Sequence, residues 1–110
     1  MQNRFLYVTI FIVFMSSYAF AAQNVAGQNY YLKNCSSCHG KGNRGGGLAA
    51  SYEWEEYFAN NAKDMKYFHE DEPIPLKYLN SDKFKKQKKK ILKFLIEFAS
   101  DSQSIPSCNN

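Results

Sequence analysis

Apolar positions fall into four stretches along the 110 residues, separated by polar or glycine-rich breaks. The first is a continuous run. Phe5 to Met15 is apolar apart from Thr9, follows the single charge of Arg4, and gives way to Ser16, Ser17 and Tyr18 before Ala19-Phe20-Ala21. A charged start, an apolar centre and a small-x-small end make a secretory signal peptide over residues 1–21, cut after Ala21. The competing reading is an uncleaved anchor, since Phe5 to Ala22 is long enough to span a bilayer. Ser16, Ser17 and Tyr18 interrupt the run where an anchor would stay apolar, and this favours cleavage.

The other three stretches have helical spacing. Gly27 to Asn34, with Tyr30, Tyr31 and Leu32, predicts a short helix leading into Cys35. Ser51 is the expected N-cap of a second helix, with Glu53, Glu55 and Glu56 in or near its first turn. Trp54, Tyr57, Phe58, Ala62, Met65, Phe68 and His69 recur along one face of it. It should end near Glu70, because Pro73 and Pro75 cannot continue it. Ser81-Asp82 opens a third helix whose apolar stripe is Phe84, Ile91, Leu95 and Phe98, with lysines opposite. No run alternates with period two between hairpin turns, so no strand is expected. The fold class is all-α, a single domain over residues 22–110 with its core at about 27–100 and a loose tail at 101–110.

Composition narrows the picture. Charged residues are 22% and hydrophobic residues 45%, ordinary for a folded chain. The net charge of +4 is too mild to imply nucleic acid, and no nucleic-acid partner is expected. A domain of this size buries a limited core and often leans on disulfides, metal or a cofactor. Three cysteines cannot supply two disulfides.

Cys35-Ser36-Ser37-Cys38-His39 is the one specific motif. Two cysteines three apart with His next form the attachment signature of c-type haem. Each thiol adds across one porphyrin vinyl group to give a thioether, and the short turn brings the His39 imidazole to the iron as proximal ligand. Other chemistries use the same spacing. A dithiol redox pair expects a βαβ setting, which is missing. Half a zinc site would need His69 and Cys108 as distant partners. A plain disulfide is the third option in an oxidising compartment. The position of the motif shortly after an export signal favours one covalent haem c.

With these residues the chain resembles the small class I c-type cytochromes over most of Gly27 to Ser100. Cys35 to Gly40 matches that family's haem motif. Gly27 and Tyr31 lie eight and four residues before Cys35, offsets at which the family carries a small residue and an aromatic. There they let the first helix cross the last one closely, and Phe94 and Phe98 supply the expected aromatics. The resemblance implies a small helical domain wrapped around its haem.

In that family a Met before the last helix usually supplies the sixth iron ligand, and Glu70 to Asn80 contains none. Met65 and His69 are the candidates, four residues apart and so on one helix face. Met65 also reads as core filler, and His69 as a cation at a helix C-terminus. His/Met ligation raises the potential relative to other pairs. An open sixth site would suit gas binding.

Five of the six glycines fall in Gly40 to Gly47, where backbone could approach a porphyrin edge. Lys41 or Arg44 could pair with a propionate. Lys83, Lys85, Lys86, Lys88, Lys89, Lys90 and Lys93 form a basic band on the last helix, either a solvated face or a surface steering toward an acidic redox partner. Cys108 is left over, with no role that the pattern assigns. The sequence therefore reads as a periplasmic monohaem electron carrier, exported in a Gram-negative bacterium, with redox proteins as partners and no substrate turned over by this chain alone. A haem-based gas sensor and an electron-entry subunit of a larger oxidoreductase are the rival expectations. Membrane contact is expected only if the N-terminal segment stays uncleaved.

Overall fold

A computed structural model of the protein describes residues 25–41 and 44–102. The signal segment, Gly42 and Cys108 lie outside the described residues. Among the described residues there are helices and turns and no strand, so the all-α expectation holds. Helix α1 covers residues 25–34 and runs into α2, Ser36–His39. A 3₁₀ turn, Gly46–Leu48, precedes α3, Ser51–Phe68. Helices α4, Pro73–Leu79, and α5, Asp82–Glu97, follow. None is long and apolar enough to cross a membrane.

The core is one cluster of Tyr31, Phe58, Ala62, Leu79, Phe84, Ile91, Phe94 and Leu95. Helix α5 supplies half of it, and Phe84, Ile91 and Phe94 are fully buried. Its N-terminus is capped as expected, with the Ser81 hydroxyl accepting from the Phe84 amide at 3.1 Å. Helix α1 crosses α5 at Gly27, where a Cβ would run into the Lys90 carbonyl oxygen and crowd Phe94. One turn on, the Tyr31 and Phe94 rings meet at 5.5 Å.

The glycine loop serves this packing. A side chain at Gly45 would strike the Tyr31 ring, and one at Gly46 would meet Phe98 and the Leu95 carbonyl. Gly45 and Gly46 are thus needed for close approach to protein, and Gly45 also borders the main cavity. Gly40 alone among the described glycines needs its conformational freedom, at φ +92°.

Three local expectations change. Ser51 is the first residue of α3 and not its N-cap; Ala50 holds that place, and Glu53 reaches back to accept from the Ala50 amide at 2.8 Å. Ser51 instead donates its amide and hydroxyl to Asp101, each at 2.8 Å, so the chain at Asp101 is tied down. Helix α3 is also not continuous. Its backbone leaves the helical region at Ala59 and stays left-handed through Asn60, Asn61 and Ala62 (φ 53°, 58° and 56°) before the second segment begins. Asparagine is among the few residues that visit this region readily, and the Asn-Asn pair marks the break. Finally, the stretch expected as loop before the last helix contains α4. Pro73 sits at its first position, where the missing amide costs nothing.

Candidate cofactor site

Helix α1 delivers the motif. The Cys35 amide donates to the Tyr31 carbonyl at 2.8 Å, and the His39 amide donates back to the Cys35 carbonyl at 3.1 Å. This single turn sets Cys38 and His39 just beyond Cys35. The Tyr31 hydroxyl donates to the Gly40 carbonyl at 2.7 Å, fixing the end of the motif to the core. Cys35 is half-buried, whereas Cys38 and His39 are exposed. All three border one cavity of about 760 Å³, a volume in the range of small-molecule and cofactor sites.

His69, at the C-cap of α3, borders the same cavity. The His39 and His69 ring centroids are 5.9 Å apart, with planes inclined at 71°. His69 Nδ1 lies 2.7 Å from the Met65 carbonyl oxygen. A carbonyl only accepts, so Nδ1 carries a proton, and in the neutral imidazole Nε2 is then the nitrogen with a lone pair. That is the arrangement by which a second bond orients a metal-binding imidazole and raises its basicity. Met65 also borders the cavity and packs against the core. The structure thus brings His39, His69 and Met65 to one space and gives Met65 a defined part through its backbone.

The thiols separate the rival chemistries. Burial pushes the Cys35 thiol up to about 11. A reactive dithiol draws on a depressed value and an electropositive setting, and burial works against this at Cys35. Cys35 and Cys38 are not bridged. Among the described residues no three His, Cys, Asp or Glu side chains converge as a metal cluster, and Cys108, a partner in the zinc reading, lies outside them.

No family model, curated protein or solved structure matches the chain. The site is therefore read from its own chemistry.

A haem fits the residues present. Two imidazoles sharing one metal ion through bonds of about 2 Å have ring centres roughly 6 Å apart, close to the spacing of His39 and His69. The cavity walls are largely apolar, with Phe58, Leu79, Ile91 and Leu95 contributed by α3, α4 and α5. Both motif cysteines sit at the edge of this space. Lys33, and neither Lys41 nor Arg44, is the basic residue that borders it. Sequence reasoning missed the α4 wall of Ile74 and Leu79. The signal was present: Pro73 can open a helix, and Leu76 and Leu79 follow at helical spacing.

Proposed function

We propose that this protein is an exported monohaem c-type cytochrome that carries single electrons between redox proteins. Cys35 and Cys38 would hold the haem through thioethers, and His39 and His69 would bind its iron. The observation that carries this reading is the meeting of the motif histidine with a second, backbone-bonded histidine at a cavity that both motif cysteines border. When bound, haem supplies a reversible one-electron couple in the iron.

The chain's own residues do the rest. Tyr31 anchors the motif turn, so His39 is presented in a fixed place. The Met65 carbonyl holds the His69 proton on Nδ1 and leaves Nε2 as the nitrogen available to a metal. The apolar walls exclude water and keep the local dielectric low. Two imidazoles, with no methionine sulfur on the iron, would set a lower potential than a His/Met pair. The small domain wraps the group, works outside the cytoplasm in the periplasm, and turns over no substrate alone. A filled sixth site weighs against gas sensing.

Absorption spectra and the mass of exported, natively matured protein test the proposal. We expect one added macrocycle, a low-spin spectrum and no near-infrared band from sulfur ligation. His69→Ala should lose the low-spin state and let carbon monoxide bind the reduced protein. Met65→Ala should keep that state, because the carbonyl that orients His69 survives the substitution. The opposite pattern would assign the sixth ligand to Met65. A mass without the macrocycle would end the haem reading.

A further inference from the structure

The outer face of α5 is chemically uniform. Seven of its sixteen residues are lysine, half of the fourteen basic residues in the chain. Every exposed position on the helix apart from Asp82 is lysine: Lys83, Lys85, Lys86, Lys89, Lys90 and Lys93. Lys85 lies 3.9 Å from Asp82 in a loose, exposed pair. Lys86, Lys89 and Lys93 run along the side opposite Phe84, Ile91 and Leu95, the three α5 residues that border the cavity.

We propose that this lysine face is a docking surface for an anionic membrane, holding the domain on lipid headgroups with its cavity turned away. Two observations favour lipid over an acidic protein. A protein interface draws its affinity from aromatic or arginine anchors in desolvated pockets and is depleted in lysine. The aromatic residues of α5, Phe84 and Phe94, are buried, and its outer face offers neither kind of anchor. A flat layer of headgroups asks only for accumulated positive charge, to which each lysine near the surface adds. The face is also separated from the cavity by the full width of a helix, about 10 Å. A protein docked there would stand far from the site it needs to reach, whereas a membrane docked there leaves that site open. The need to leave that site open rests on the proposed function, whereas the charge and the missing anchors favour lipid whatever fills the cavity.

Co-sedimentation of the natively matured protein with vesicles tests it. The lipids are phosphatidylcholine alone, or phosphatidylcholine with about one-third phosphatidylglycerol. Binding is expected only to the anionic vesicles, falling steeply as salt shortens the screening length. The triple variant Lys86→Gln, Lys89→Gln, Lys90→Gln should bind about 100-fold more weakly. The matching triple arginine variant should bind within a few-fold of the parent, since the charge is kept. Equal binding to both vesicle types, an unaffected glutamine variant, or an equal loss in the arginine variant would overturn the proposal. So would failure to bind anionic vesicles alongside lysine-dependent capture by an acidic protein.

Discussion

The two sides of the cavity are built differently. The α1–α5 side is a frame: two helices in backbone contact at Gly27, with Tyr31, Phe94 and Leu95 buried between them and Gly45 and Gly46 pressed on from the loop. The α3–α4 side is a span. It breaks at Ala59–Ala62, restarts, ends at His69 and turns through Pro73, and it leaves Phe68 and Ile74 largely exposed. The difference assigns the work. The frame fixes the motif and its His39, while the span decides which side chain faces that histidine. A broken helix can aim its last residues where an unbroken one would have carried them past.

The sharpest way to break this contrast is to hollow the frame. Phe94→Ala removes a buried ring that contacts both Tyr31 and Phe98. It should cost about 3–5 kcal/mol in a denaturant titration, the range for aromatic-to-alanine changes in a core. A loss below about 1 kcal/mol would mean that α1 and α5 do not depend on this contact.

Gly27→Ala comes next. The added methyl has the Lys90 carbonyl in its way, and backbone cannot step aside as a flexible side chain would. The helices must separate, at a cost of about 1–3 kcal/mol. That figure is large for one methyl, and alanine's better helix propensity offsets only part of it. Thermal unfolding measures it directly.

The frame was the more legible half in the sequence. Its stripe on α5 has clean helical period, Ser81 is a good cap, and Gly27 and Tyr31 stand at fixed offsets from Cys35. The motif itself is local, so Cys35, Cys38 and His39 could be read without any fold. The span was harder because its decisive events are breaks in a pattern. The apolar positions of α3 keep helical spacing across Asn60-Asn61, which hid the change of direction. Pro73 and Pro75 read as terminators, although the first can also start a helix. The pairing of His69 with His39 joins residues thirty positions apart, and no local rule brings them together. His69 and Met65 could be named as candidates, but the hydrogen bond that distinguishes them needs coordinates.

The break in α3 can be tested at Asn61, an exposed residue at φ 58°. A β-branched side chain is strained there, so Asn61→Val should cost about 1–2 kcal/mol. Asn61→Gly should be close to neutral, because glycine adopts this backbone without penalty. If valine is tolerated as well as glycine, the left-handed stretch is not a fixed feature of the span.

The smallest expected effect lies where the two regions are tied together. Asp101 follows α5 and accepts from the amide and hydroxyl of Ser51 at the start of α3. The Ser51 amide, then its hydroxyl, hold the Asp101 carboxyl below its ordinary value of 3.8. A depressed carboxylate stabilises the fold above the unfolded-state value, and that contribution fades as pH falls through the folded one. The group is fully exposed, so solvent keeps the gain small. Asp101→Asn retains an accepting oxygen while removing the charge that favours a helix N-terminus. The variant should melt slightly below the parent at neutral pH, and the gap should close as pH falls through the parent's lowered Asp101 value and its own carboxylate is protonated. A gap of the same size above and below that value would place the loss in packing or in hydrogen-bond geometry instead of in charge. In that case the tie between frame and span would be as strong in acid as at neutrality.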